Sequence, residues 1–225
     1  MIADALLKYL RGITIGIPKL PKGVELLLPY ESLEVWQILE VFYRKFYSDE
    51  HPRRLILGIN PGRFGAGVTG IPFTDAKRLK SHCGIPMDQE SHEPSSEFVY
   101  QVIDRYGGVN AFYSDYMVSS ISPVGFIKNG KNFNYYDDHN FTKQLEPYIA
   151  QQMKSLLELP INRETVICFG EGKNYQILTR LNQYYQWFGT IRPLPHPRYV
   201  MQYKRRQLND YLGKYIKELT HTKAR

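Results

Sequence analysis

Apolar residues recur with a helical period in several stretches of the chain. In the first twelve residues, MIADALLKYLRG, they fall at positions 2, 6, 7 and 10, which predicts an amphipathic helix rather than a signal peptide. Residues 32–47 have a wider apolar face with the same period. The remaining predicted helices cover residues 95–106, with a cap at Ser95 or Ser96 and a stop at Gly107, residues 147–159 opening at Pro147, residues 172–185 and residues 202–220.

Short apolar runs between these helices predict strands. They cover residues 54–58, 111–120, 165–169 and 187–191. Strands that alternate with helices predict one α/β domain over residues 1–225, with three α/β/α layers and a mainly parallel central sheet of about four strands. We expect the helices of residues 1–50 to pack on this domain.

A glycine-rich loop follows the first of these predicted strands. Residues 65–70 have the GxGxxG spacing of a dinucleotide-binding loop, which requires the strand to turn directly into a helix. Residues 60–64 intervene, and Pro72 closes the segment, so the dinucleotide interpretation is rejected. The string GEGK at 170–173 also fails as a phosphate loop, because the motif's first glycine is absent and Asn174 follows the lysine.

Composition narrows the class of protein. The 225 residues are 43% hydrophobic, enough for one substantial core, and no stretch has the roughly 20 apolar residues of a membrane span. The chain has two cysteines, Cys83 and Cys168, too few for a disulfide framework, a zinc site or an iron–sulfur cluster. We therefore expect a reduced intracellular protein, cytoplasmic and nucleoid-associated or nuclear, without membrane attachment.

Charge adds a candidate partner. Lys and Arg outnumber Asp and Glu by 29 to 22, which suits a polyanion but is also compatible with an ordinary basic surface. The clustering near the C-terminus favours the polyanion, because basic and aromatic residues alternate there as nucleic-acid backbone neutralisation and base stacking require. This basic cluster comprises Arg198, Tyr199, Tyr203, Lys204, Arg205 and Arg206.

Asn60 stands at the mouth of the predicted strand 54–58, between glycine and proline residues. A carboxamide held there can accept a hydrogen bond from water while donating another. The alternative is an Asx turn, in which Asn60 satisfies only the local backbone. The stretch alone favours the Asx turn.

Two motifs resemble the uracil-DNA glycosylase superfamily, and most closely its single-strand-selective monofunctional branch. GINPG at 58–62, a Phe-Gly pair and TGIPF at 69–73 match the family's first active-site motif, and HPR at 196–198 matches the start of the second. The order and spacing of the motifs also fit, so that the resemblance covers most of the chain from Leu55 onward. It implies an enzyme that extrudes a damaged nucleotide and hydrolyses its N-glycosidic bond.

The resemblance also implies roles for individual residues. Asn60 matches the residue that orients the attacking water, and His196 matches the donor to the departing base. Phe73 matches the phenylalanine on which the flipped base stacks; the alternative for Phe73 is an ordinary core position. The other expected base-binding residues are Gly58, Ile59, Pro61, Gly62, Phe64, Ala66 and Ser120.

Arg198 matches the family's wedge, which fills the hole left by the flipped base. The family pattern HPSPR is shortened here to HPR, so Tyr199 is an equal candidate for this role. Lys204 and Arg205 are expected to contact DNA phosphates.

Ser120 departs from the family, whose strand usually carries a base-reading asparagine at this position. A serine hydroxyl is shorter and makes fewer contacts with the imide edge of uracil, which leaves hypoxanthine and xanthine as candidate bases beside uracil. Gly62 stands where bulkier residues in relatives exclude thymine's methyl group, so open or water-filled space is expected there.

We therefore expect a monomeric, monofunctional DNA glycosylase that needs neither metal nor cofactor. Asp137, Asp138 and His139 form the one candidate metal cluster, and an exposed polar turn is the favoured interpretation of it. The main alternative function is a catalytically idle nucleic-acid-binding domain with the same fold. A hydrolase of free nucleosides is a third possibility, which the basic cluster disfavours.

Overall fold

The structure, a computed structural model, describes residues 1–223. The α-helices are α1 Ile2–Arg11, α2 Leu33–Phe46, α3 Ala66–Thr69, α4 Ala76–Cys83, α5 Pro94–Tyr106, α6 Gly108–Asp115, α7 His139–Leu156, α8 Lys173–Tyr185, α9 Pro197–Tyr203 and α10 Leu208–Lys223. The strands are β1 Val24–Leu27, β2 Arg53–Gly58, β3 Tyr116–Ser120, β4 Gly125–Lys128, β5 Lys131–Phe133, β6 Ile161–Phe169 and β7 Thr190–Leu194.

A four-stranded parallel sheet forms the centre of the fold, in the order β3-β2-β6-β7. Three successive residues of β2, Leu55, Ile56 and Leu57, are fully buried. Because successive side chains of a strand point to opposite faces, helices must cover both faces of the sheet. The predicted three-layer α/β/α fold with about four mainly parallel strands is therefore confirmed.

The predicted N-terminal helices are present and join the same core. In α1 the buried side chains are Ile2, Ala3, Leu6, Leu7 and Leu10, the face that the apolar period predicts. The hydroxyl of Ser32 accepts the Val35 N–H at 3.4 Å and so caps α2.

A second, antiparallel sheet of three strands, ordered β1-β4-β5, was not predicted. Its strands have only three or four residues, too few to show a clear alternation of apolar and polar positions. The sheet matters for the site, because the chain leaving β5 at Phe133 runs beside the carboxyl end of β2.

Two predicted element types were wrong. Residues 111–120 were expected to be one strand, but α6 occupies the first half. Gly107 and Gly108 have φ values of 120° and 87°, and this backbone ends one helix and starts the next without a linker. Pro147 does not open a helix but lies inside α7, which begins after Asp138. Pro147 and Lys143, whose carbonyl loses its partner, are both exposed, so water can replace the missing bond.

Three predicted boundaries also shift. Strand β7 starts at Thr190 rather than at Trp187, because Gln186 adopts a left-handed turn and Trp187 stacks on Tyr185 with ring centroids 4.9 Å apart. Helix α5 begins at Pro94, so neither Ser95 nor Ser96 caps it. The predicted C-terminal helix is divided into α9, a 3₁₀ turn over Arg205–Gln207, and α10.

Both cysteines, Cys83 and Cys168, are buried and free. Within residues 1–223, no helix has the length and hydropathy that crossing a membrane would need.

Candidate active site

A cavity of about 260 Å³ opens where the carboxyl ends of β2 and β3 meet the loop after β7. This is the edge at which parallel sheets bind ligands. The predicted site residues that line it are Ile59, Asn60, Pro61, Gly62, Ala66, Phe73, Ser120, His196, Arg198 and Tyr199. Gly58, Phe64, Lys204 and Arg205 do not line it.

Both the oxygen and the nitrogen of the Asn60 side-chain amide form hydrogen bonds. Oδ1 accepts the Tyr135 N–H at 3.2 Å, while Nδ2 lies 3.4 Å from the Phe133 carbonyl and 3.3 Å from the Pro61 carbonyl. Two of these bonds reach the end of β5 and the chain that follows it, so Asn60 does more than complete a local Asx turn. Since Oδ1 has a second lone pair, it can accept a hydrogen bond from a water in the cavity.

Phe73 presents its ring to the cavity from a constrained backbone. Its φ is 53°, which is unfavourable for a bulky residue. Thr69 stabilises the turn, because its buried hydroxyl donates to the Thr74 carbonyl at 2.6 Å and accepts the Ile71 N–H at 3.1 Å. The ring centroid of Phe73 lies 5.7 Å from that of His196.

Gly58 does not line the cavity but lies directly against Phe73. A β-carbon on Gly58 would come within 2.7 Å of Phe73 Cε2, closer than carbon atoms can approach. The absent side chain of Gly58 therefore makes room for the ring of Phe73.

His196 caps α9 and is held in one tautomer. Its Nδ1 accepts the Arg198 N–H at 3.2 Å, which leaves the ring proton on Nε2. The hydroxyl of Tyr215 donates to the Pro195 carbonyl and so anchors the loop before it. Although the side chain keeps some exposed surface, burial and then the charge of Arg198 lower the pKa of His196 from its usual 6.5 to about 4. The imidazole is therefore a neutral donor at physiological pH.

Ser120 lies beside Gly58 in the sheet, where the two residues are register partners at the ends of β3 and β2. Its side chain is almost completely buried and borders the cavity. The hydroxyl makes no hydrogen bond to any residue in the described part of the chain, so it is available to a ligand.

The space beside Gly62 is not open, contrary to expectation. A β-carbon on Gly62 would lie 2.8 Å from Oε1 of Glu93, so this carboxyl group fills the position. Glu93 precedes α5 and its carboxyl group is part of the cavity wall.

Part of the basic cluster lies at the mouth of the cavity. Arg198 and Tyr199 are exposed and line its mouth together with Tyr203, whose ring centroid lies 5.5 Å from that of Tyr199. Lys204 and Arg205 lie outside it, and Arg205 forms an ion pair with Glu97 at 3.7 Å.

Phe64 is also outside the cavity, although it was expected to bind the base. Its ring is 50% exposed, and the guanidinium carbon of Arg63 lies 4.4 Å from the ring centroid. It is therefore a surface residue of the glycine-rich loop.

Several residues of the cavity wall were not predicted from the sequence. Besides Glu93, they include Ser95 and the two asparagines of the chain around β5, Asn132 and Asn134. The two-residue spacing of the asparagines is a strand signal that was available, but β5 was not recognised.

The aspartates of the candidate metal cluster, Asp137 and Asp138, accept hydrogen bonds from backbone N–H groups. Asp138 Oδ1 accepts the Phe141 N–H at 2.8 Å and caps α7, while Asp137 accepts the Asn134 N–H at 2.8 Å. Across residues 1–223, no group of three or more His, Cys, Asp or Glu residues has metal-binding geometry.

Comparison with known proteins identifies the family of the chain. The family model of the uracil DNA glycosylase superfamily matches residues 45–220. The chain belongs to this superfamily. It is also similar to the crystal structure of wild-type SMUG2 from Pedobacter heparinus, with a TM-score of 0.96 and 41% sequence identity, covering 100% of this chain and 99% of that one. No curated protein matches it.

Membership of the uracil-DNA glycosylase superfamily supports a DNA glycosylase activity of the uracil-excising type. It also agrees with the resemblance on which residues 58–73 and 196–198 were singled out.

Replacing Gly58 tests whether the ring of Phe73 must keep its place. We expect Gly58→Ala to slow single-turnover excision of uracil from an oligonucleotide by about tenfold to 100-fold, because the added methyl group displaces the ring. The matched control is Gly213→Ala, at an exposed position of α10 with open space around it, which should retain the wild-type rate. A Gly58→Ala enzyme with the wild-type rate would contradict this view of Phe73.

The pKa of His196 can be measured by NMR titration of labelled histidines, with His196→Gln used to assign the signal. We expect a midpoint near pH 4 rather than 6.5. Because the unfolded chain takes up this proton at higher pH than the folded one, the contribution of His196 to stability is present above about pH 6.5 and is lost as the pH falls towards 4. A midpoint near 6.5 would show that the imidazole is neither desolvated nor held beside Arg198.

Proposed function

We propose that this protein is a monofunctional DNA glycosylase that removes a flipped deaminated base, either uracil or a deaminated purine such as hypoxanthine or xanthine. One observation carries the proposal: a neutral imidazole, a fixed carboxamide and an aromatic ring face one cavity at the carboxyl edge of the sheet. These groups suit hydrolysis of an N-glycosidic bond, with the base on Phe73 and a water at Asn60.

In this mechanism Asn60 orients the water and does not act as a strong base. Its amide accepts a hydrogen bond from the water on Oδ1, and the Tyr135 N–H and Phe133 carbonyl prevent the amide from rotating. A fixed amide can align the water with the anomeric carbon, and such alignment lowers the entropic part of the barrier. The water loses its proton to solvent after the sugar–base bond has largely broken.

Stabilisation of the leaving group comes from His196. As the sugar–base bond breaks, negative charge grows on the base, and the Nε2–H of a neutral imidazole can donate to a base oxygen. One preorganised donor of this kind contributes about 3–4 kcal/mol in the transition state. The bond from the Arg198 N–H to Nδ1 fixes the donor on the other nitrogen, so little reorganisation is needed.

Ser120 reads the imide edge of the base in this proposal. Its unpartnered hydroxyl on the cavity wall supports that role. A hydroxyl makes one good contact where an asparagine amide makes two, so we expect the enzyme to accept purines beside uracil.

On the DNA side, Arg198 or Tyr199 would fill the hole left by the flipped nucleotide, since both are exposed at the mouth of the cavity. Lys204 and Arg205 would contact phosphates farther along the strand, with Arg205 first leaving Glu97. We propose that the enzyme acts as a monomer on DNA within the cell.

The proposed function is tested with oligonucleotides that carry uracil, hypoxanthine or xanthine, followed by alkaline cleavage of abasic sites. We expect the wild-type protein to produce abasic sites and Asn60→Ala to be slower by about 100-fold or more, with DNA binding nearly unchanged. Binding without cleavage by the wild-type protein would instead support an idle nucleic-acid-binding domain. An unimpaired Asn60→Ala enzyme would remove Asn60 from the mechanism.

A second variant tests how the base is read. Ser120→Asn should raise the ratio of uracil to purine excision by about tenfold or more, because it fills space and restores a second contact with the imide edge. Single-turnover rates on matched oligonucleotides keep product release from hiding the change. The neighbouring variant Ser119→Asn is the control, since Ser119 alternates to the other face of β3. An unchanged ratio in Ser120→Asn would mean that Ser120 does not face the base.

A further inference from the structure

Glu93 is an unexpected acidic group in the cavity. Among the described residues that line the cavity, it is the only one with a carboxyl group. The glycine-rich loop makes room for it at two positions: β-carbons on Gly62 and Gly65 would lie 2.8 Å and 2.1 Å from its carboxyl oxygens. This close fit places the group in the wall rather than free in solvent.

A hydrogen bond to the residue that caps α4 fixes the backbone of Glu93. Its N–H donates to Oδ2 of Asp75 at 2.7 Å, and Asp75 is itself completely buried and caps α4. Asn132 of β5 also lies against Gly62, with Nδ2 3.3 Å from the β-carbon position of that glycine, and lines the same cavity. Glu93 is thus fixed through its backbone, and its carboxyl group packs against Gly62 and Gly65 at the cavity wall.

The surroundings of Glu93 act on the pKa of its carboxyl group in both directions, with a net increase. Burial raises the pKa of the carboxyl group above its ordinary value, and the charge of Asp75 raises it further. A hydrogen bond with Ser95 and the charge of Arg198 act in the opposite direction, but burial is the largest effect. A raised pKa makes this carboxyl group hold its proton more readily than a surface glutamate does, which suits a group that donates a proton within the cavity.

We infer that Glu93 is a catalytic general acid for deaminated purines, donating a proton to N7 of the flipped base. This inference rests on the proposed function, which assigns His196 to an oxygen of the base and Ser120 to its imide edge. Because Gly62 and Glu93 line the same cavity as His196 and Ser120, the inference places the remaining edge of the base against them. In a purine that edge carries N7 with a lone pair, whereas in uracil it carries C5–H, which can accept no proton.

The proposed step is balanced without any further reactant. The carboxyl proton of Glu93 passes to N7 as the bond between C1′ and N9 breaks, and the bonding electron pair moves into the imidazole ring of the purine. Water held at Asn60 adds to C1′ and releases one proton to solvent, and Glu93 regains a proton from solvent. The products are the free neutral purine and an abasic sugar.

The test compares Glu93→Ala and Glu93→Gln with the wild-type enzyme. The substrates are three oligonucleotides of the same sequence that carry hypoxanthine, xanthine or uracil at one position. We expect Glu93→Ala to lose about 100-fold or more in single-turnover excision of the purines and to change by less than about threefold on uracil. Glu93→Gln should fall between, since its amide still donates a hydrogen bond but transfers no proton. Glu90→Gln, an exposed position outside the cavity, is the control and should match the wild type.

The uracil rate reports whether each variant is folded and whether the proposed function holds. Equal losses on uracil and purines would overturn the inference, because they would indicate a structural role for Glu93. A wild-type enzyme that removes uracil but neither purine would overturn it too, while leaving the glycosylase function intact. A wild-type enzyme that removes no base at all would contradict the proposed function itself.

Discussion

The site depends on one buried carboxamide, Asn174, which joins the ends of the two central strands. Its Nδ2 lies 3.4 Å from the Gly58 carbonyl at the end of β2 and 3.1 Å from the Phe169 carbonyl at the end of β6. Its Oδ1 accepts the hydroxyl of Tyr135 at 3.0 Å. The side chain is 2% exposed, and leaving such partners unsatisfied would cost about 1–3 kcal/mol each.

The hydrogen bonds of Asn174 position two groups of the proposed reaction through its neighbours. Tyr135, held by Asn174, donates its backbone N–H to Asn60 and so fixes the amide proposed to orient water. Gly58, held on its carbonyl, supports the ring of Phe73, and its register partner is Ser120. The His196 loop is attached separately, through Tyr215 of α10. The cavity thus joins a rigid sheet edge to a loop that carries the DNA-facing residues, which suits an enzyme that must align a water and a flipped base.

The sequence predicted those features that depend on local pattern. The apolar period of α1 and α2 and the buried run of β2 predicted the fold class, and the GINPG and HPR motifs located Asn60 and His196, which both line the cavity. What it missed depends on contacts between distant segments. The short strands β1, β4 and β5 are stable only as a sheet, and the Pro147 error arose because solvent can replace a helix bond on the exposed side of α7.

The same reason explains why some residues of the site were not predicted from the sequence. Glu93 looks like an ordinary residue before a helix, and it gains its position only because Gly62 and Gly65, about thirty residues earlier, leave space for it. Asn174 belongs to a string that was tested as a phosphate loop and rejected, and its importance appears only when β2, β6 and Tyr135 meet around it. In both cases the side chain matters through partners that no local window contains.

The proposed base pocket is tested most directly by a crystal structure with an oligonucleotide that carries 2′-fluoro-deoxyuridine, a nucleotide chosen to resist cleavage. We expect a flipped uracil stacked on Phe73, with Nε2 of His196 and the hydroxyl of Ser120 within hydrogen-bond distance of the base and a water on Oδ1 of Asn60. An unflipped base, or a base bound away from Phe73 with no water at Asn60, would contradict it.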